Sequence, residues 1–169
     1  MSEARQIEHG RDKEPEPGDP AELVMTPVSG GDPELILIAS GSELHVAHGA
    51  AEALEAEGIP TRVVSLPCWE RFGAQDDAYH ESVLPSTVRR RVSVEAGVHL
   101  GWERWVGDEG AIIGIDRFGA SAPAATIFAE LGFTVDRVAG IGRRVVRDGL
   151  RGRIPTLGRE RLEGGADKR

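Results

Sequence analysis

The run Leu35-Ile36-Leu37-Ile38-Ala39 constrains the fold more than any other feature of the chain. It is continuously apolar and is fenced by Asp32-Pro33 before it and Ser40-Gly41 after it. A short run of this kind reads as a strand buried on both faces, which a parallel sheet between two helical layers provides. Glu43 to Glu57 follows, with Leu44, Ala47, Ala51 and Leu54 at helical spacing and Gly58 as a stop. Ser40 and Glu43 have the spacing of a capping box. The alternation then continues along the chain. Leu23-Val24-Met25, Thr61 to Leu66, Arg91 to Glu95 and Ala111 to Ile115 read as further strands. Gln75 to Val83, Trp102 to Val106, Pro123 to Leu131 and Thr134 to Arg147 read as helical. Strands alternating with helices predict an α/β domain with a mainly parallel sheet.

The 169 residues suit one domain with a full core. Residues 1–20, with six acids, three bases and three prolines, read as a disordered acidic lead-in, and residues 150–169 as a basic flexible tail. The body is then 21–149. No apolar run is long enough to cross a membrane, and the polar start MSEARQIEHG does not read as a signal peptide. A single cysteine, Cys68, rules out an intramolecular disulfide and a multi-cysteine zinc site, so a cytoplasmic setting is expected. The net charge of −8 is uneven: residues 143–169 carry nine bases and four acids, which leaves the stretch 21–142 at about −10. A folded body of that sign does not neutralise phosphates, so nucleic acid is not an expected partner.

Ligands of open α/β sheets sit at the carboxyl ends of the strands. Those ends are Ser40-Gly41-Ser42, Leu66-Pro67-Cys68, Glu95-Ala96-Gly97 and Asp116-Arg117-Phe118-Gly119-Ala120-Ser121. Ser40, Ser42, Glu95, Asp116, Arg117 and Ser121 are the polar groups of a possible ligand site, and Arg117 is the group suited to grip an anion. Asp116 and Arg117 could equally pair with each other. Gly119-Ala120-Ser121-Ala122-Pro123 lacks the second glycine of a nucleophile elbow, so Ser121 reads better as a helix cap than as a hydrolase nucleophile. His45, His48 and Glu52 have metal-compatible spacing on one helix, but they lie beside the apolar stripe with no further ligands. Cys68 reads as inert and half-buried. Trp69, Trp102 and Trp105 suit an interface or a core edge equally.

Leu35 to Glu43 followed by Thr61-Arg62-Val63-Val64-Ser65-Leu66-Pro67-Cys68-Trp69-Glu70 resembles the C-terminal domain of transketolase. So do Val94-Glu95-Ala96-Gly97 with Gly101-Trp102, and most specifically Gly114-Ile115-Asp116-Arg117-Phe118-Gly119-Ala120-Ser121-Ala122-Pro123. The resemblance runs from about residue 22 to 148 and implies a three-layer α/β/α sandwich. Its sheet would be mixed and five-stranded, with the first strand antiparallel. Transketolases move a two-carbon ketol unit between sugar phosphates with thiamine diphosphate (TPP) and a divalent metal such as Mg, held by two other domains. Gly107-Asp108-Glu109-Gly110 departs from the family's Gly-Asp-Gly metal segment, and the chain contains no asparagine to close one. That segment reads as a turn before a strand.

The resemblance therefore implies no catalytic, cofactor-binding or metal residue in this chain. TPP and Mg would come only through a partner that carries the other domains. The expected role is a non-catalytic subunit or accessory that docks on such a partner or self-associates. Ser40, Ser42, Glu95, Trp102, Asp116, Arg117 and Ser121 are the candidate ligand or interface residues. The alternative is a regulatory module that binds a small anion or sugar phosphate at the strand-end loops.

Overall fold

The structure is a computed structural model and describes residues 23–25, 32–115 and 124–154. The elements run β1 (Leu23–Met25), β2 (Leu35–Ala39), α1 (Glu43–Ala56), β3 (Thr61–Ser65), α2 (Trp69–Gly73) and α3 (Asp77–Val83). They continue with β4 (Arg91–Val94), α4 (Glu103–Val106), β5 (Ala111–Ile113), α5 (Ala124–Leu131), α6 (Val135–Asp148) and β6 (Gly152–Ile154). The sheet order is β1-β3-β2-β4-β5-β6. β1 pairs antiparallel with β3, Leu23 opposite Ser65, and every other pairing is parallel.

Alternation along the central strand explains the layers. All five residues of β2 are fully buried, because its two faces serve two cores. Leu35, Leu37 and Ala39 pack with Val63, Val92, Val94 and Ile113 beneath α1 and α6. Ile36 and Ile38 pack with Val64, Leu66 and Ile112 beneath Phe72, Val83, Trp102 and Trp105 on the opposite face. The result is an α/β/α sandwich, as expected.

Two details differ from the sequence reading. The sheet has six strands, not five, because β6, from residues read as tail, adds to the edge of β5. Chain direction makes this possible: α6 ends at Gly149, whose left-handed φ of 67° reverses the chain toward that edge. The capping box is also not formed. Ser42 is the N-cap of α1 and makes no side-chain cap, while the Ser40 and Glu43 side chains leave for partners on β4's far end. The Ser40 side chain is turned toward β4, where its hydroxyl donates to the Glu95 carboxyl.

Candidate functional site

The connection β2–α1–β3 lies on one face of the sheet, and the connection from β3 through α2 and α3 to β4 lies on the other. The chain thus turns opposite ways from β2, and a crevice is expected at the carboxyl ends of β2 and β4. Ser40 and Glu95 are the first residues beyond those two strands.

The structure brings them into contact. Ser40 Oγ donates to Glu95 Oε2 at 2.6 Å. A second bond crosses the same crevice in the other sense: Ala96 N–H donates to Glu43 Oε1 at 3.2 Å. Glu43 Oε2 also accepts from Ser42 Oγ at 3.2 Å. Glu43 is only 6% exposed although it opens a helix. Burial pushes the Glu95 carboxyl above the usual range, nearby Glu43 pushes it the same way, and the Ser40 hydrogen bond offsets part of this. The crevice is therefore bridged by the chain's own side chains.

A pH dependence follows. In the folded chain Glu95 holds its proton more firmly than in the unfolded chain, so stability falls as pH rises from the ordinary glutamate range through the raised value. Glu95→Gln removes the charge and keeps an acceptor for Ser40. It is expected to raise the melting temperature by about 1–2 °C at pH 7, a figure kept small for a half-exposed group. The gain should shrink toward pH 4. A gain that grows on acidification would contradict the assignment.

The loop beyond Glu95 is held by backbone hydrogen bonds. Gly97 C=O accepts from Ile115 N–H at 2.7 Å, and His99 C=O accepts from Trp102 N–H at 3.2 Å. Buried His99 lies over Gly114, where an added Cβ would meet its ring at 3.3 Å. Trp102 is 3% exposed and meets Trp69 edge to face, with ring centroids 4.9 Å apart. Trp102 thus belongs to the core edge. The loop displays Val98 and Leu100 instead, which are 62% and 77% exposed.

Asp116, Arg117 and Ser121 lie outside the described residues. Ser42 is exposed at the rim of the crevice. His48 Nδ1 is 3.6 Å from Glu52 Oε2, and no metal-holding group of three or more His, Cys, Asp or Glu exists among the described residues. Cys68 is half-buried with Sγ 3.5 Å from Glu70 Oε2, a carboxylate that gives a thiolate no positive setting. Sequence reasoning read Glu43 only as a cap partner. The signal was present in a glutamate placed directly at a strand-to-helix junction, but its partner lies 53 residues away.

Asp108 and Glu109 form the turn before β5, and both reach Arg89, at 2.7 and 3.2 Å. With its carboxylates paired at an exposed turn and no asparagine in the chain, this segment does not fit a diphosphate-metal site.

Comparison with known proteins gives the fold its relatives. The family model described as "Transketolase-like TK C-terminal domain" matches residues 23–134. The transketolase of Geobacillus stearothermophilus is 55% identical over 68% of this chain and 17% of its own length. The solved transketolase from Leishmania mexicana superposes with a TM-score of 0.68 at 40% identity, over 82% of this chain and 19% of that one. A structure titled "Split gene transketolase, inactive beta4 tetramer" shares the fold at a TM-score of 0.52 and 20% identity, over 66% of this chain and 39% of that one. The chain thus spans about a sixth of the length of the curated relative it matches.

Proposed function

This chain belongs to the transketolase family, as its C-terminal domain, and from that premise we propose that it is a non-catalytic subunit of a TPP-dependent ketol transfer between sugar phosphates. The observation that carries the reading is the family match over residues 23–134 together with the Gly107 to Gly110 turn, whose carboxylates are paired with Arg89 and do not fit a diphosphate-metal site. TPP and Mg would be bound by the partner, since the one segment here that could be compared with a metal motif does not fit one. The bridged crevice supports a scaffold role, because Ser40, Glu43 and Glu95 are spent on each other and on Ala96. Transketolase C-terminal domains form the third part of a longer chain in the family, and the split-gene protein offers a precedent at the level of fold alone.

The surface we assign to the partner is the apolar pair Val98 and Leu100. Exposed apolar side chains gain burial on docking. No described helix is long and apolar enough to cross a membrane. The single cysteine favours a reducing, cytoplasmic setting.

The test mixes this chain with a Geobacillus-type transketolase truncated before its C-terminal domain. Ketol transfer is followed with xylulose 5-phosphate and ribose 5-phosphate, TPP and Mg. This chain alone should be inactive, and the mixture should exceed the truncated enzyme. Val98→Asp with Leu100→Asp should remove the gain and leave the fold intact. Turnover by this chain alone would overturn the proposal.

The alternative is a sugar-phosphate or small-anion module at the strand ends. The described part of that cluster supplies hydroxyls and carboxylates, and the cation an anion needs there is Arg117. Calorimetry with sugar phosphates at millimolar ligand, on wild type and Arg117→Gln, separates this reading from the first.

A further inference from the structure

Several arginines of this chain are spent inside the fold or on carboxylates. Arg62 donates to Ser82 C=O and Val83 C=O, Arg89 reaches Asp108 and Glu109, and Arg90 reaches Glu34. The face of α6 differs. Arg137, Arg143, Arg144 and Arg147 line an open depression there, with Gly140 and Ile141 among them. The four arginines stand three before Gly140 and three, four and seven after it, spacings that share one helix face. Helical side chains lean toward the N-terminus, so Arg143 and Arg144 lean back over the turn that holds Gly140.

Two of the four are engaged. Glu57 holds Arg143 through both carboxylate oxygens, and Arg137 donates to Leu131 C=O at 3.3 Å. Arg147 meets its neighbour Asp148 at 3.4 Å, with the two side chains 70% and 54% exposed, a pair of little strength. Arg144 is exposed and makes no ion pair with a carboxylate among the described residues. Positive charge is therefore left over at Arg144 and Arg147.

The floor of the depression is an independent observation. α6 holds two glycines, and each costs helix stability. Gly142 has a packing reason, because an added Cβ would stand 2.9 Å from Leu35 Cδ2 and 3.0 Å from Leu54 Cδ1. Gly140 has none: an added Cβ would meet only Arg143 Nη1, at 3.9 Å. A glycine inside a helix without a packing partner points to function. Here it leaves bare backbone beneath the guanidiniums, where an anion can approach closely.

Guanidinium forks grip phosphate oxygens two bonds at a time. From Arg137 to Arg147 the row is about 15 Å long, more than one phosphoryl group fills. No aromatic ring is among the residues that line the depression, so nothing there stacks on a base. We propose that this face of α6 binds a condensed phosphate, a chain of two or three linked phosphoryl groups, over Gly140 with Arg144 and Arg147 as its main holds. The phosphate chain is what is read, whether it is free or the end of a nucleotide. The net charge of −8 repels anions elsewhere, so the binding is local to this face. The site is independent of Val98 and Leu100 and of the strand-end loops.

The test is calorimetry of the full chain with sodium tripolyphosphate, without divalent metal, at about 20 mM salt. One anion per chain is expected with a Kd of about 0.1–1 mM, weakened at least about ten-fold near 500 mM salt. Arg144→Gln with Arg147→Gln should raise Kd about ten-fold or more. Gly140→Ala should raise it about three-fold while the helix becomes more stable, so the loss is not unfolding. Arg71→Gln, on the opposite layer, and Arg117→Gln, at the strand ends, should leave Kd unchanged. Adenosine triphosphate is the second arm: an equal Kd marks the free chain as sufficient, and a lower one marks a nucleotide as the source. No heat at about 5 mM tripolyphosphate would overturn the proposal. So would equal binding of sulfate at matched ionic strength, or a loss confined to Arg117→Gln.

Discussion

A Gly110→Ala substitution is expected to lower the melting temperature by about 10 °C or more, from a loss of about 3 kcal/mol. Gly110 lies directly before β5, where β4 and α4 crowd the backbone. An added Cβ would stand 2.2 Å from Arg91 C=O oxygen, 2.3 Å from Val106 Cγ1 and 2.9 Å from Val106 C=O oxygen. Two of those neighbours are main chain, so no rotamer change relieves the clash. Gly110 C=O also accepts from Gly152 N–H at 2.8 Å, so any shift passes into β6. Thermal unfolding by circular dichroism measures the effect. Gly140→Ala is the control: its Cβ would meet only Arg143 Nη1 at 3.9 Å in mid-helix, and about 0.5–1 kcal/mol of stabilisation is expected there. A Gly110→Ala chain that melts within about 2 °C of wild type would show that this corner yields.

Arg91→Met is expected to cost about 3 kcal/mol, or about 10 °C, by removing a guanidinium that holds four carbonyls. Its Nε donates to Val88 C=O at 2.9 Å and its Nη1 to Trp105 C=O at 2.9 Å. Its Nη2 donates to Leu84 C=O at 3.1 Å and to Pro85 C=O at 2.9 Å. These bonds tie the start of β4 to the end of α3 and to α4. Burial lowers the guanidinium pKa, but the group stays charged at any working pH. Methionine keeps the apolar stem and leaves the carbonyls without this donor. Arg91→Lys should recover only a small part, because one ammonium cannot reach a fork of four acceptors. Since Gly110 packs against the Arg91 backbone, the double variant should lose less than the sum of the singles. Strict additivity would mean the two sites are independent.

The amount of fold written into the sequence varies by element for physical reasons. β2 to β5 were legible because residues 35–39 and 111–115 are largely apolar runs, 61–66 holds Val63-Val64, and 91–95 alternates Val92 and Val94 with polar residues. α6 was legible because Thr134 caps it and Gly149 ends it. α2 was missed, since Trp69 to Gly73 is too short to show a period. β6 was missed because Gly152-Arg153-Ile154 is no apolar run, and it is a strand only because β5 offers an open edge. The antiparallel β1 came from the family resemblance and not from periodicity, which carries no direction.

The site divides in the same way. Ser40 and Glu95 stand at strand ends, which the alternation of elements places. Their mutual bond depends on β2 lying between β3 and β4, and no local pattern encodes that order. The Trp69–Trp102 pair likewise joins segments 33 residues apart, so neither tryptophan announced the contact.

The position of β2 at the middle of the sheet also sets a schedule for synthesis. Ala39, the last residue of β2, pairs with Val94, so 55 residues must emerge after β2 before that side of it can be covered. At about 5–20 residues per second this takes roughly 3–11 s. β3 arrives much sooner, so the half-sheet β1-β3-β2 under α1 is the first unit that can close on the ribosome. The unpaired flank of β2, fully apolar on both faces, must then wait beside the exit. During that interval the apolar, unpaired flank of β2 is open to misassociation.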